Sequence, residues 1–109
     1  MTDDQYIVRY YGFDGRILLP SKINSFIIIH FASAVNVWRK RNRFQQRLII
    51  DFSGVRFPYS NGMLAIIAIV KKLRATGVQI KIRLPNDSNA RNLFQVTNWA
   101  YLLSPENIL

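Results

Sequence analysis

The sequence predicts an α/β layer whose sheet is at least partly parallel, and three observations carry the prediction. Residues 47–52 form a short, nearly continuous apolar run with β-branched side chains, and residues 78–84 alternate apolar and polar without a break; both are strand signatures. Residues 21–38 repeat apolar side chains at a spacing near 3.6, and residues 63–75 are helical in composition. Helices that join successive strands of one sheet require those strands to run parallel.

The elements follow in the order β-β-α-β-α-β-α. Residues 6–11 and 16–19 read as strands joined by a hairpin at Gly12-Phe13-Asp14-Gly15, because Gly accepts positive φ and Asp does so better than most residues. Ser21 is the expected cap of a first helix with the stripe Ile23, Phe26, Ile27, Ala34, Val35 and Trp38. Arg39, Lys40, Arg41 and Arg43 close it, cations at the negative end of the helix dipole. The apolar run 47–52 reads as a central strand covered on both faces, and Ser53-Gly54 breaks it. The second helix ends in Lys71, Lys72 and Arg74 before Gly77, and strand 78–84 then has one dry face and one basic, wet face before Pro85. Asn86-Asp87-Ser88 caps a last helix carrying Ala90, Leu93, Phe94 and Val96, with residues 99–103 as further apolar cover.

At 109 residues the chain reads as one domain, 1–109, and its 50% hydrophobic content argues against disorder. It has no cysteine, which removes disulfides, thiolate nucleophiles and Cys-built zinc sites, and fits a reducing, cytoplasmic setting. The start Met-Thr-Asp-Asp lacks the pattern of a secretion signal. The apolar stretches 26–38 and 63–70 fall short of the roughly 20 residues of a membrane span. A net charge of +9, from 15 basic and 6 acidic residues, favours an anionic partner without choosing among protein, nucleic acid and lipid.

Catalytic groups are scarce, so the expectation is a protein that is not an enzyme and uses no metal or cofactor. Asp14 sits in a turn, Asp87 at a cap, and Asp3 and Asp4 at the terminus. His30 lies mid-helix among apolar residues, where it reads as a core or edge histidine; with no second His and no paired carboxylate, neither an acid/base pair nor a metal site assembles. No Gly-rich phosphate loop is present, since Gly12 and Gly15 belong to a hairpin. The basic run 39–47, interleaved with Phe44, is the best nucleic-acid feature, but it also reads as a solvated helix end and has no recognition helix or stacking platform beside it.

Residues 48–103 resemble the STAS domains, named for sulphate transporters and anti-sigma factor antagonists. The features that carry the resemblance are the strand ending in Asp51, then Ser53-Gly54-Val55, Phe57, the Ser60-x-Gly62 start of a helix, Gly77, a second strand and a closing helix. The resemblance implies a mixed β-sheet flanked by helices and a non-enzymatic regulatory module, similar to an anti-sigma factor antagonist. It implies as partner a histidine-kinase-like ATPase that acts as a serine kinase, and as phosphorylation site Ser60. The family's Asp before the acceptor is here Tyr59, its small hydroxyl residue after the acceptor is Asn61, and the acidic residue near the end of its second strand is missing from residues 17–20.

Ser60 has a structural reading too, as a hydroxyl cap contributing about 1 kcal/mol. If Met63, Ile66, Ile67, Val70 and Leu73 face the sheet, Leu64, Ala68 and Ile69 spread toward solvent as an apolar stripe edged by Lys71 and Lys72, suited to docking. The expected partner-binding residues are Arg56, Tyr59, Ser60, Asn61, Met63, Leu64, Ala68 and Ile69. The alternatives are a phosphorylation-independent adaptor of a transport complex, a self-associating scaffold, and a basic nucleic-acid-binding domain.

Overall fold

The first reversal of the chain depends on a glycine. The structure is a computed structural model that describes residues 7–12, 15–41 and 47–103. β1 (Arg9–Tyr11) and β2 (Arg16–Leu18) pair antiparallel, with Tyr10 opposite Ile17. Gly15 leaves the turn at φ 60°, the left-handed backbone for which the hairpin signal placed a glycine there. Tyr6, Phe13 and Asp14 of the expected hairpin lie outside the described residues.

β4 (Arg47–Asp51) lies parallel to β2, and β6 (Gln79–Arg83) parallel to β4, giving a mixed sheet of order β1-β2-β4-β6. Both crossovers step the same way along the sheet, and the right-handed rule puts both connecting helices on one face. These are α1 (Ile27–Arg41) and α2 (Ser60–Ala75). Ile27, Phe31, Val35 and Trp38 of α1 meet Met63, Ile66, Val70 and Leu73 of α2 over Ile17, Leu48, Ile50, Ile80 and Ile82 of the strands, all in one core. Each side chain fully buried there stabilises by roughly 1.5–3 kcal/mol.

The chain departs from the expected order at the first helix. Residues 22 and 23 are a strand, β3 (Lys22–Ile23), parallel to β5 (Phe57–Pro58) in a second small sheet. Ser21 does not cap α1: its carbonyl accepts N–H bonds from Arg56 at 2.9 Å and Phe57 at 3.0 Å. A ladder to a neighbouring segment has taken the residues that a local cap would use. The turn into α1 forms at Asn24, whose side chain accepts from Phe26 N–H at 3.0 Å and whose carbonyl accepts from Ile27 N–H at 3.1 Å. Phe26, expected in the buried stripe, is 67% exposed.

Past β6, the Asp87 carboxylate accepts from Ala90 N–H at 3.0 Å and caps α3 (Ser88–Val96) as its sequence promised. Asp87→Ala is expected to lower stability by about 1 kcal/mol in urea unfolding. Leu93 and Val96 are exposed, contrary to expectation. Asn98, at φ 61°, reverses the chain after one short helix and brings α4 (Trp99–Leu103) onto the core in their place. Phe94 stacks edge-on against Phe52 at 5.0 Å and Trp99 at 5.7 Å.

The reading of β4 as covered on both faces is corrected as well. Leu48 and Ile50 lie under the helices, but Arg47 is exposed and Ile49 half-buried on the other face, because all the described helices pack on one side.

Candidate functional site

The start of α2 is set by the small sheet. Tyr59 N–H donates to the Ile23 carbonyl at 2.8 Å, holding Tyr59 extended at φ −78°, ψ 143°. Tyr59 is therefore the residue at the cap position, and it offers no side-chain cap bond. Ser60 is the first helical residue, one place too late for its hydroxyl to fold back on the first turn. The reading of Ser60 as the cap is thus overturned, and its exposed hydroxyl has no hydrogen-bond partner among the described residues. Asn61 Oδ1 instead accepts from Gly62 N–H at 2.8 Å.

Gly62 carries a constraint that its sequence pattern alone does not reveal. A Cβ on it would lie 2.8 Å from the N, Cα and C atoms of Asn24. The first turn of α2 is pressed against the β3–α1 junction, and only a glycine permits that approach.

The remaining expected site residues divide by exposure. Arg56, Tyr59, Asn61, Leu64 and Ala68 are exposed and Ile69 is half-buried. Ser60, Leu64 and Ala68 recur every fourth residue and form one ridge along the outside of α2. Met63 is fully enclosed in the core and presents no surface to a partner, so its place among the docking residues is withdrawn. Leu64, one position on and so about 100° round the helix, is 58% exposed. His30 is exposed on α1, its ring 5.8 Å from that of Phe26.

Charge around the start of α2 is positive. The first turn holds no acidic residue, Arg56 precedes it, and Lys22 lies 5.8 Å over the ring of Phe57. Asp51 is buried at the end of β4, where its carboxylate takes Ser53 N–H at 2.8 Å, Arg16 Nη1 at 2.8 Å and Arg83 Nη1 at 3.6 Å. Burial pushes this carboxyl up; the bonds from Ser53 and Arg16 and the field of Arg83 outweigh it and hold it below the ordinary carboxylate value. The sequence marked Asp51 as a strand end, but register alone brings Arg83 opposite it.

Of the basic run, Arg39, Lys40 and Arg41 form the last turn of α1 and Arg47 starts β4, while Arg43 and Phe44 lie outside the described residues. At this end a groove of about 510 Å³ runs between α1 and α2, with Val35, Ile69 and Leu73 in its wall and Arg39 and Lys72 at its rim. Arg39 also donates to Thr76 Oγ1 at 3.3 Å. The pairing of these two helix faces had no signal in the sequence.

The site therefore consists of an exposed primary alcohol at the positive end of a helix dipole, beside an exposed tyrosine and an apolar ridge. Such an end holds a phosphate well through its free N–H groups. Among the described residues no helix is long and apolar enough to cross a membrane. The STAS domain family model matches residues 17–100, from β2 into α4. No curated protein and no solved structure matches the chain.

Proposed function

The chain belongs to the STAS domain family, whose members are regulatory and protein-interaction modules, and from that premise we propose that it is a cytoplasmic regulator resembling an anti-sigma factor antagonist. It docks on a histidine-kinase-like ATPase with serine-kinase activity through Arg56, Tyr59, Asn61, Leu64, Ala68 and Ile69, and phosphorylation at Ser60 releases the partner. The supporting observation is the Ser60 hydroxyl, which is exposed at the start of α2 and makes no structural hydrogen bond among the described residues. A serine relieved of capping keeps the helix intact when it is modified. Phosphate would add about 1.5–2 negative charges beside Tyr59 and Arg56, reversing the local potential without unfolding the domain.

A second reading follows from two substitutions. Tyr59 and Asn61 stand where the family's switch has an Asp and a small hydroxyl residue, and these favour an adaptor that binds without phosphorylation. Affinity capture with and without ATP separates the two. Under the switch, Ser60→Ala keeps the co-purifying ATPase, Ser60→Asp weakens it by at least tenfold, and mass spectrometry finds one phosphate on Ser60. Equal retention by both variants, with Ser60 unmodified in native cells, leaves the adaptor.

A further inference from the structure

We propose that the face of the four-stranded sheet turned away from the described helices binds single-stranded nucleic acid. This surface is separate from the α2 ridge and does not depend on the regulatory reading above. It is assembled by register: Tyr11 lies opposite Arg16, Arg16 opposite Ile49, and Ile49 opposite Lys81, while the next row carries Arg9, Leu18, Asp51 and Arg83. Arg47 extends it on β4, opposite Gln79. Alternation sends all of these to the side away from the helices.

Among the described residues the charge on this face is one-sided. The one carboxylate they place there, Asp51, is 1% exposed beneath Arg16 and Arg83, so Arg47 and Lys81 are left to act outward, and the Arg83 side chain is itself 51% exposed. Lys81 and Arg83 stand two residues apart on one strand, about 6.6 Å, a separation comparable to that of successive phosphates on an extended chain. The Arg16 guanidinium lies 4.5 Å from the centre of the Tyr11 ring, and Tyr11 as a residue is 37% exposed. Aromatic rings and guanidinium planes over a sheet are what unpaired bases stack on.

Shape selects the occupant. Four strands span about 14 Å before side chains are added, which does not enter a major groove about 12 Å wide, so a duplex meets the face only at its backbone. Leu18 and Ile49, the aliphatic side chains of these two rows, are half-buried, which leaves little apolar surface for the apolar side of an acidic helix. A splayed single strand needs neither groove.

The test uses the whole chain and a fluorescein-labelled oligothymidylate of about 20 nucleotides, longer than the 4–16 that one such platform covers, read by anisotropy against NaCl. The expected log–log salt slope is about −2 to −3, from three or four phosphates at about −0.7 each. Arg47→Glu with Lys81→Glu should weaken binding more than tenfold, and Tyr11→Ile about tenfold with the slope unchanged. Arg39→Glu with Lys72→Glu makes the same charge change at the far end of the helices and should stay within threefold. Thermal melting confirms that each variant is folded. Absent binding at low salt, equal losses from the two double variants, duplex binding as tight as single strand, or displacement by polyglutamate at equal charge would each overturn the proposal, the last in favour of an acidic protein.

Discussion

Gly62→Ala is expected to destabilise the fold by about 2 kcal/mol, measured as a lower midpoint in urea unfolding. Helix propensity argues the other way: alanine inside a helix gains roughly 1 kcal/mol over glycine. The close approach decides the sign, because the new Cβ would stand 2.8 Å from three backbone atoms of Asn24. A flexible side chain could rotate away, but backbone inside a two-sheet junction must move bodily, and overpacking of this kind costs typically 1–3 kcal/mol before the propensity gain. Gly54→Ala is the control. Its Cβ would sit 3.9 Å from the Leu19 carbonyl oxygen, an ordinary contact, and its midpoint should hold. If both glycine variants melt alike, the steric account of the Ser-x-Gly motif is wrong.

Asp51→Ala should cost about 2–3 kcal/mol. Breaking a fully buried ion pair costs 3–5 kcal/mol, but here only the carboxylate is buried, and the partner side chains, 24% and 51% exposed, regain water. What stays behind is the Ser53 N–H, deprived of its acceptor. Asp51→Asn retains an oxygen for that N–H and should lose less. The same carboxylate gives the parent an acid-dependent stability. Its native value is depressed, so it stabilises fully above the unfolded carboxylate value near 3.9, and that contribution disappears as pH falls through the native value. Unfolding midpoints should be level from pH 7 to 5 and drop below pH 4, with a shallower drop in Asp51→Asn. Equal acid curves for parent and variant would remove Asp51 as the cause.

The parts of this fold that were legible are those governed by local rules. The alternation of residues 78–84, the glycine of the hairpin and the carboxylate at Asp87 each act within a few residues, and each sits where its pattern placed it. The five α2 residues assigned to the sheet side are all buried, and Leu64 faces out at 58% exposure. Non-local hydrogen bonding was not legible. β3 and β5 are two residues each, too short for any periodicity, and they exist because Ser21 and Ile23 find partners more than 30 positions away. That pairing also moved the helix cap from Ser60 to Tyr59, so the capping role read for Ser60 passes to its neighbour. The open sheet face was half visible: the wet side of β6 is basic in its sequence, but only register adds Arg47, Arg16 and Tyr11 to it.

The small β3–β5 sheet has a further consequence for motion. In an α/β layer the strand-to-helix connections usually belong to the least protected part of the molecule and open one at a time. Here the two successive connections are laced to each other by the amides of Arg56, Phe57 and Tyr59. Amide exchange would find these three protons released in a single opening event. A partner seated on the start of α2 would then slow exchange at the start of α1 as well, and that second connection would report the occupancy of a surface it does not touch.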